Sequence, residues 1–131
     1  MKHLLVLTAL IEAGAGLVFL LLPSVAATLL FGSPLDAPVA FMVTRLTGAA
    51  LVTLGVACWF TCADLESPAA TGVVAAMLFY NLAALAILAY AGLGLGLVGV
   101  TLWLGIVLHS VMAAWCFACL RTRRASTGDK K

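Results

Sequence analysis

Four apolar runs fill this chain, and each carries one strongly polar residue in its interior: Glu12, Arg45, Asn81 and His109. A carboxylate or guanidinium inside hydrocarbon costs roughly 2.5 to 3.5 kcal/mol by insertion scales, so such groups persist only with a partner or a task. The runs lie near residues 4–22, 39–62, 69–91 and 97–120, each close to the roughly 20 apolar residues that a spanning helix needs. Of 131 residues, 65% are hydrophobic and 9% charged, against about 25% charged in a soluble domain. The expected fold is an all-α membrane protein, a four-transmembrane-helix bundle in one domain over residues 1–131. Little chain is left outside the spans. Any binding or chemistry therefore belongs within the helices, at their ends, or on a partner.

Charge placement predicts orientation. Lys2 precedes the first span, Arg121, Arg123, Arg124, Lys130 and Lys131 follow the last, and only Arg45 lies between. The positive-inside rule then puts both termini in the cytoplasm, as an even number of spans requires. The 63–68 connection joins them there, while 32–38 and 92–96 face outward. The start resembles a signal peptide, and Val25-Ala26-Ala27 offers small residues for cleavage. Glu12 interrupts the would-be apolar core, so a retained first span is expected. Nucleic-acid binding is not expected of the basic tail at 121–131, because topology already accounts for its charge.

Punctuation marks the helix ends. Pro23 ends or kinks the first span, Ser24 caps a short piece over Val25 to Phe31, and Gly32-Ser33-Pro34 breaks the chain. That piece is expected to lie along the outer interface. Asp36 is the expected cap of the second helix, with Pro38 in its first turn, and Ser67-Pro68 opens the third. Gly92, Gly94 and Gly96 predict a short flexible link and an antiparallel hairpin of the last two helices. Small residues such as Gly16, Gly48, Gly55 and Gly105 predict close helix contacts, which hold bundles together in lipid. Trp103 and Tyr80 fall too deep in their spans for an interfacial aromatic belt. An echo between Ala57–Cys62 and Ala114–Cys119 is set down to composition.

Counting at about 1.5 Å per residue puts Glu12, Asn81 and His109 near the bilayer midplane, with Arg45 about 8 Å outward. Glu12 and Arg45 are expected to pair. Steps of three and four set each polar residue on a stripe: Thr8, Glu12 and Gly16; Arg45, Gly48, Val52, Gly55, Trp59 and Cys62; Val74, Met77 or Leu78, Asn81 and Ala84; Gly105, His109, Met112 and Cys116. Glu12, Asn81, His109 and Arg45 are thus the candidate ligand-binding residues, pointing into the bundle.

Three tasks fit these residues. In a transporter Glu12 binds a proton or a cationic solute, and His109 can change charge near physiological pH. In a membrane enzyme Glu12 and His109 act as general acid and base on a lipophilic substrate that Asn81 orients. In an accessory subunit the same groups only fix helix register. Haem fits poorly, since His109 is the one histidine within a span. Cys58, Cys62, Cys116 and Cys119 end two helices that finish on one face, together with His3, where thiolates suit soft metals. Packing as small apolar residues is the preferred reading for them, because a helix C-terminus disfavours thiolate. No cofactor is assigned.

The stretch Gly14 to Gly32, GAGLVFLLLPSVAATLLFG, followed by Arg45 to Trp59, RLTGAALVTLGVACW, resembles the first half of small four-helix bacterial membrane proteins of the DoxX-like kind. That resemblance implies a bacterial cytoplasmic-membrane protein, often accessory to redox or respiratory systems, and carries over no catalytic residue. The favoured expectation is a multi-pass inner-membrane protein that binds a small solute or lipophilic ligand, with proton-linked transport as its activity. Its expected partners are the lipid bilayer and a second copy or another membrane subunit.

Overall fold

The computed structural model describes residues 1–128 and is helical nearly throughout, with no strand among the described residues. The elements are α1 (Lys2–Leu21), α2 (Pro23–Phe31), α3 (Pro38–Thr61), α4 (Pro68–Ala89) and α5 (Leu102–Gly128). Four helical stretches, Lys2–Leu21, Pro38–Thr61, Pro68–Gly94 and Leu102–Ala125, are long and apolar enough to cross a membrane. Side chains stay largely outward on all of them, from 17% to 33% buried, as expected of a bundle whose outer faces meet lipid rather than water.

Local chemistry explains the ends. Pro23 takes the first position of α2, with Leu22 rather than Ser24 as the N-cap. The proline lacks only an amide that would be unsatisfied there anyway. Gly32 closes α2 in the left-handed region at φ 86°, where a side chain would be strained. At α3 the N-cap is Ala37 in extended conformation, not Asp36, again because a proline follows directly. Ser67 caps α4 as the sequence predicts: its Oγ accepts from the Ala70 amide at 3.2 Å and donates to the Asp64 carbonyl at 2.9 Å.

The last two helices depart most from expectation. Gly92 and Gly94 lie inside a π-helical turn, Tyr90–Gly94, that lengthens α4. The link falls at 95–101, so α5 starts at Leu102, later than the expected 97. It also runs to Gly128, making most of the basic tail helical. Lys130 and Lys131 lie outside the described residues.

Two tight pairs, α1 with α3 and α4 with α5, make the bundle. Glycine sets the first pair. A Cβ on Gly48 would stand 2.5 Å from the Leu20 nitrogen and 2.6 Å from the Gly16 carbonyl oxygen, and one on Gly16 would stand 2.7 Å from the Gly48 oxygen. Real Cβ atoms do not tolerate such distances, so the two backbones touch only because neither residue has one. On α3 the buried stripe is Gly48, Leu51, Gly55 and Cys58. It shares both glycines with the expected stripe but is rotated, leaving Arg45 and Trp59 exposed.

The pairs meet in two places. At the end bearing both termini, Leu4, Leu5, Ala9, Cys58, Val74, Met77, Met112 and Cys116 form one buried cluster. There the Arg123 guanidinium donates to the carbonyls of Leu65, Glu66 and Ser67, tying α5 to the link between the pairs. At the opposite end, Leu88, Ala91 and Leu102 form a second cluster with Leu30 and Phe31 of α2 packed against it. Thr101 fixes α2 in place, its amide and hydroxyl both donating to the Leu29 carbonyl at 3.0 and 2.9 Å. The short helix thus bridges the pairs instead of only lying along an interface.

Gly48→Ala should lower stability in detergent by about 1–3 kcal/mol, the cost of overpacking a tight contact. Gly14, where an added Cβ would meet nothing within 4 Å, supplies the control. Gly14→Ala should leave the thermal midpoint unchanged or raise it by the ~0.5–1 kcal/mol that alanine gains over glycine in a helix.

Candidate functional site

Between the two clusters the helix pairs diverge around a cavity of about 430 Å³. Ile11, Glu12, Ala15 and Phe19 line it from α1, Thr47 and Leu51 from α3, and Tyr80 to Leu88 from one face of α4. Leu30 of α2 and the stretch Thr101 to His109 complete the wall. The titratable groups are not scattered. On α4 and α5 the lining residue nearest the terminus-bearing end is Tyr80 or His109, and on α1 Glu12 lies within one residue of it. One end of an otherwise apolar chamber therefore carries a carboxyl, a phenol and an imidazole.

These groups sit in buried or half-buried surroundings, and the imidazole is held from behind. Glu12 is 5% exposed, on the buried stripe of α1 with Thr8 and Gly16. Tyr80 shares that end of the cavity wall, with its hydroxyl near the carboxyl. His109 packs edge-on against the Tyr80 ring, with centroids 5.7 Å apart and planes at 81°. Its Nδ1 lies 2.9 Å from Asn81 Oδ1. Asn81, 2% exposed, is absent from the cavity wall; its Nδ2 donates to the Met77 carbonyl at 2.7 Å. That bond fixes the amide, and the amide fixes the imidazole.

Three of the four residues singled out by sequence thus converge, as expected, with Asn81 supporting the site instead of lining it. Arg45 does not join them. It is exposed on α3 and shares a shallow surface pocket with Asp36, Pro38, Phe41 and Met42. No Glu12–Arg45 ion pair exists among the described residues, because the α3 stripe facing α1 runs through Gly48 and Gly55 and turns Arg45 away. Tyr80 takes the place expected of the arginine. Its signal was present in the sequence, since a tyrosine so deep in a span does not fit an interfacial belt.

The Thr8 hydroxyl is fully enclosed and has no hydrogen-bonding partner among the described residues. Several other hydroxyls within helices, among them Thr44, Thr47 and Thr53, donate to the carbonyl four residues back. Of the cysteines, all free, Cys58 and Cys116 are core residues and Cys62 and Cys119 flank them. Among the described residues no group of three histidine, cysteine or acidic side chains stands together to hold a metal. Comparisons with protein-family models, curated proteins and solved structures find no match to this chain.

In a double-mutant cycle, Asn81→Ala and His109→Ala should couple by about 0.6 kcal/mol, and by no more than ~1.7, the range for hydrogen bonds between membrane helices. The cycle of Glu12→Gln with Arg45→Met should show no coupling. Unfolding in mixed micelles reads both.

Proposed function

We propose that this protein binds a lipophilic molecule within the membrane, seating its polar end against Glu12, Tyr80 and His109. The observation that supports the reading is the cavity: apolar along its length, polar at one end, and of a size typical of small-molecule sites. Thr47, Ile87 and Leu104 both line it and are exposed. All three lie within helices, so the cavity opens through the flanks of the bundle, where acyl chains lie. That favours a ligand arriving from the bilayer over a water-soluble solute. In the proposed orientation both termini are cytoplasmic, in the inner membrane of a bacterium, with Lys2 and the Arg121–Arg124 cluster supplying the positive-inside bias. Proton-linked transport of the ligand is the activity in which Glu12 would take part, and two copies would give four short helices room for a complete path.

A second reading rests on Arg45. A guanidinium exposed on a spanning helix, with no partner among the described residues, suits an accessory subunit whose neighbour supplies a carboxylate. This is the role that the DoxX-like resemblance implies.

Fluorescent lipophiles should bind the protein in nanodiscs and not empty discs. Ala84→Trp, which fills the cavity from its wall, should abolish binding while leaving the thermal midpoint in place. In liposomes, flux of a bound lipophile that collapses in Glu12→Gln supports transport. Co-purification with a partner lost in Arg45→Met, without ligand binding, would favour the accessory role.

A further inference from the structure

The cavity wall is short of hydrogen-bond donors. Thr47 lines it, but its hydroxyl hydrogen goes to the Val43 carbonyl at 2.9 Å; that of Thr101, at the opposite end, goes to the Leu29 carbonyl, also at 2.9 Å. The Tyr80 hydroxyl lies near the Glu12 carboxyl and has a single hydrogen to give. Asn81 donates to the Met77 carbonyl, so the atom it turns to His109 is Oδ1, which only accepts. His109 Nδ1 must then carry the proton of that 2.9 Å bond. In the neutral ring this leaves Nε2 as a bare lone pair. Nε2 has no partner among the described residues and is not enclosed, and His109 belongs to the cavity wall. Backbone amides within helices are already paired.

We infer that the cavity selects lipophilic molecules headed by a hydrogen-bond donor, a hydroxyl or an amine, with His109 Nε2 as the principal acceptor, the Glu12 carboxyl beside it and Asn81 as the residue that sets the His109 tautomer. The inference rests on the ligand-binding reading above and narrows it to a chemical class. A ketone, ether or ester head has no hydrogen to give and leaves His109 Nε2 unsatisfied. A hydroxyl, with one hydrogen, satisfies it, and an amine has a second hydrogen left for the Glu12 carboxyl on the same wall. Asn81 is a positioning residue here, because it acts on the ligand only through the imidazole.

Equilibrium dialysis of the full chain in nanodiscs, with empty discs as the blank, compares naphthol, naphthylamine and methoxynaphthalene, which differ little beyond the donor. Naphthol and naphthylamine should bind about tenfold more tightly than the ether, the scale of one net hydrogen bond. Equal affinity for the ether would overturn the donor preference while leaving the cavity a lipophile site. Binding of none of the three would overturn the ligand-binding reading itself. The tautomer is tested without ligand by ¹⁵N NMR of the labelled histidine: a protonated Nδ1 and a bare Nε2 are expected, and a protonated Nε2 would refute the assignment. Asn81→Leu should mix the tautomers and shrink the preference for naphthol. Should that variant not fold, the wild-type spectrum decides alone.

Discussion

The backbone contact between α1 and α3 is the constraint on which the rest of the structure depends. Lipid chains are as apolar as leucine, so these helices gain nothing from hiding apolar side chains from one another. They gain from close approach, and Gly16, Gly48 and Gly55 permit it: a Cβ on Gly55 would stand 2.9 Å from the Ala9 carbonyl oxygen. A pair this tight has no internal space. Whatever space the protein has must lie between this pair and the other one.

That consequence explains where the cavity is. The two pairs are joined at the terminus-bearing end by the cluster around Leu4, Cys58, Met77 and Cys116, and at the other end by Leu88, Ala91 and Leu102 with α2 wedged against them. Between the two junctions the pairs separate, and the polar residues of three helices face the gap. Burying Glu12 there is costly in the abstract. The arrangement offsets the cost in two ways, by placing the Tyr80 hydroxyl at the carboxyl and by leaving the group beside a cavity instead of against packed methyl groups. His109 receives the same treatment from Asn81.

Much of this was legible in the chain. Four apolar runs fixed the helices, Pro38 and Ser67-Pro68 fixed where two of them begin, and Pro23 fixed where the first ends. Stripes counted on α1, α4 and α5 put Glu12, Asn81 and His109 on inward faces, where they are. The failures have physical causes. On α3 both candidate stripes pass through Gly48 and Gly55, and nothing in a sequence of small residues says which side of a glycine faces its neighbour. The choice decided Arg45, and with it the expected ion pair. Gly92 and Gly94 read as a loop because glycine weakens helices, yet they continue α4 as a π-helical turn. Tyr80 escaped notice as a site residue because one phenol in an apolar run looks like packing until its neighbours are placed.

The space between the helix pairs, with Glu12, Tyr80 and His109 at one end, is the proposed lipophile site. The most direct measurement is a crystal structure grown in a lipid mesophase with bromonaphthol, whose bromine is located by anomalous scattering. Bromine is expected within the cavity between α1, α4 and α5, with the hydroxyl toward His109. Bromine confined to the surface pocket beside Asp36 and Arg45, or to the lipid-facing grooves with the cavity unfilled, would contradict it.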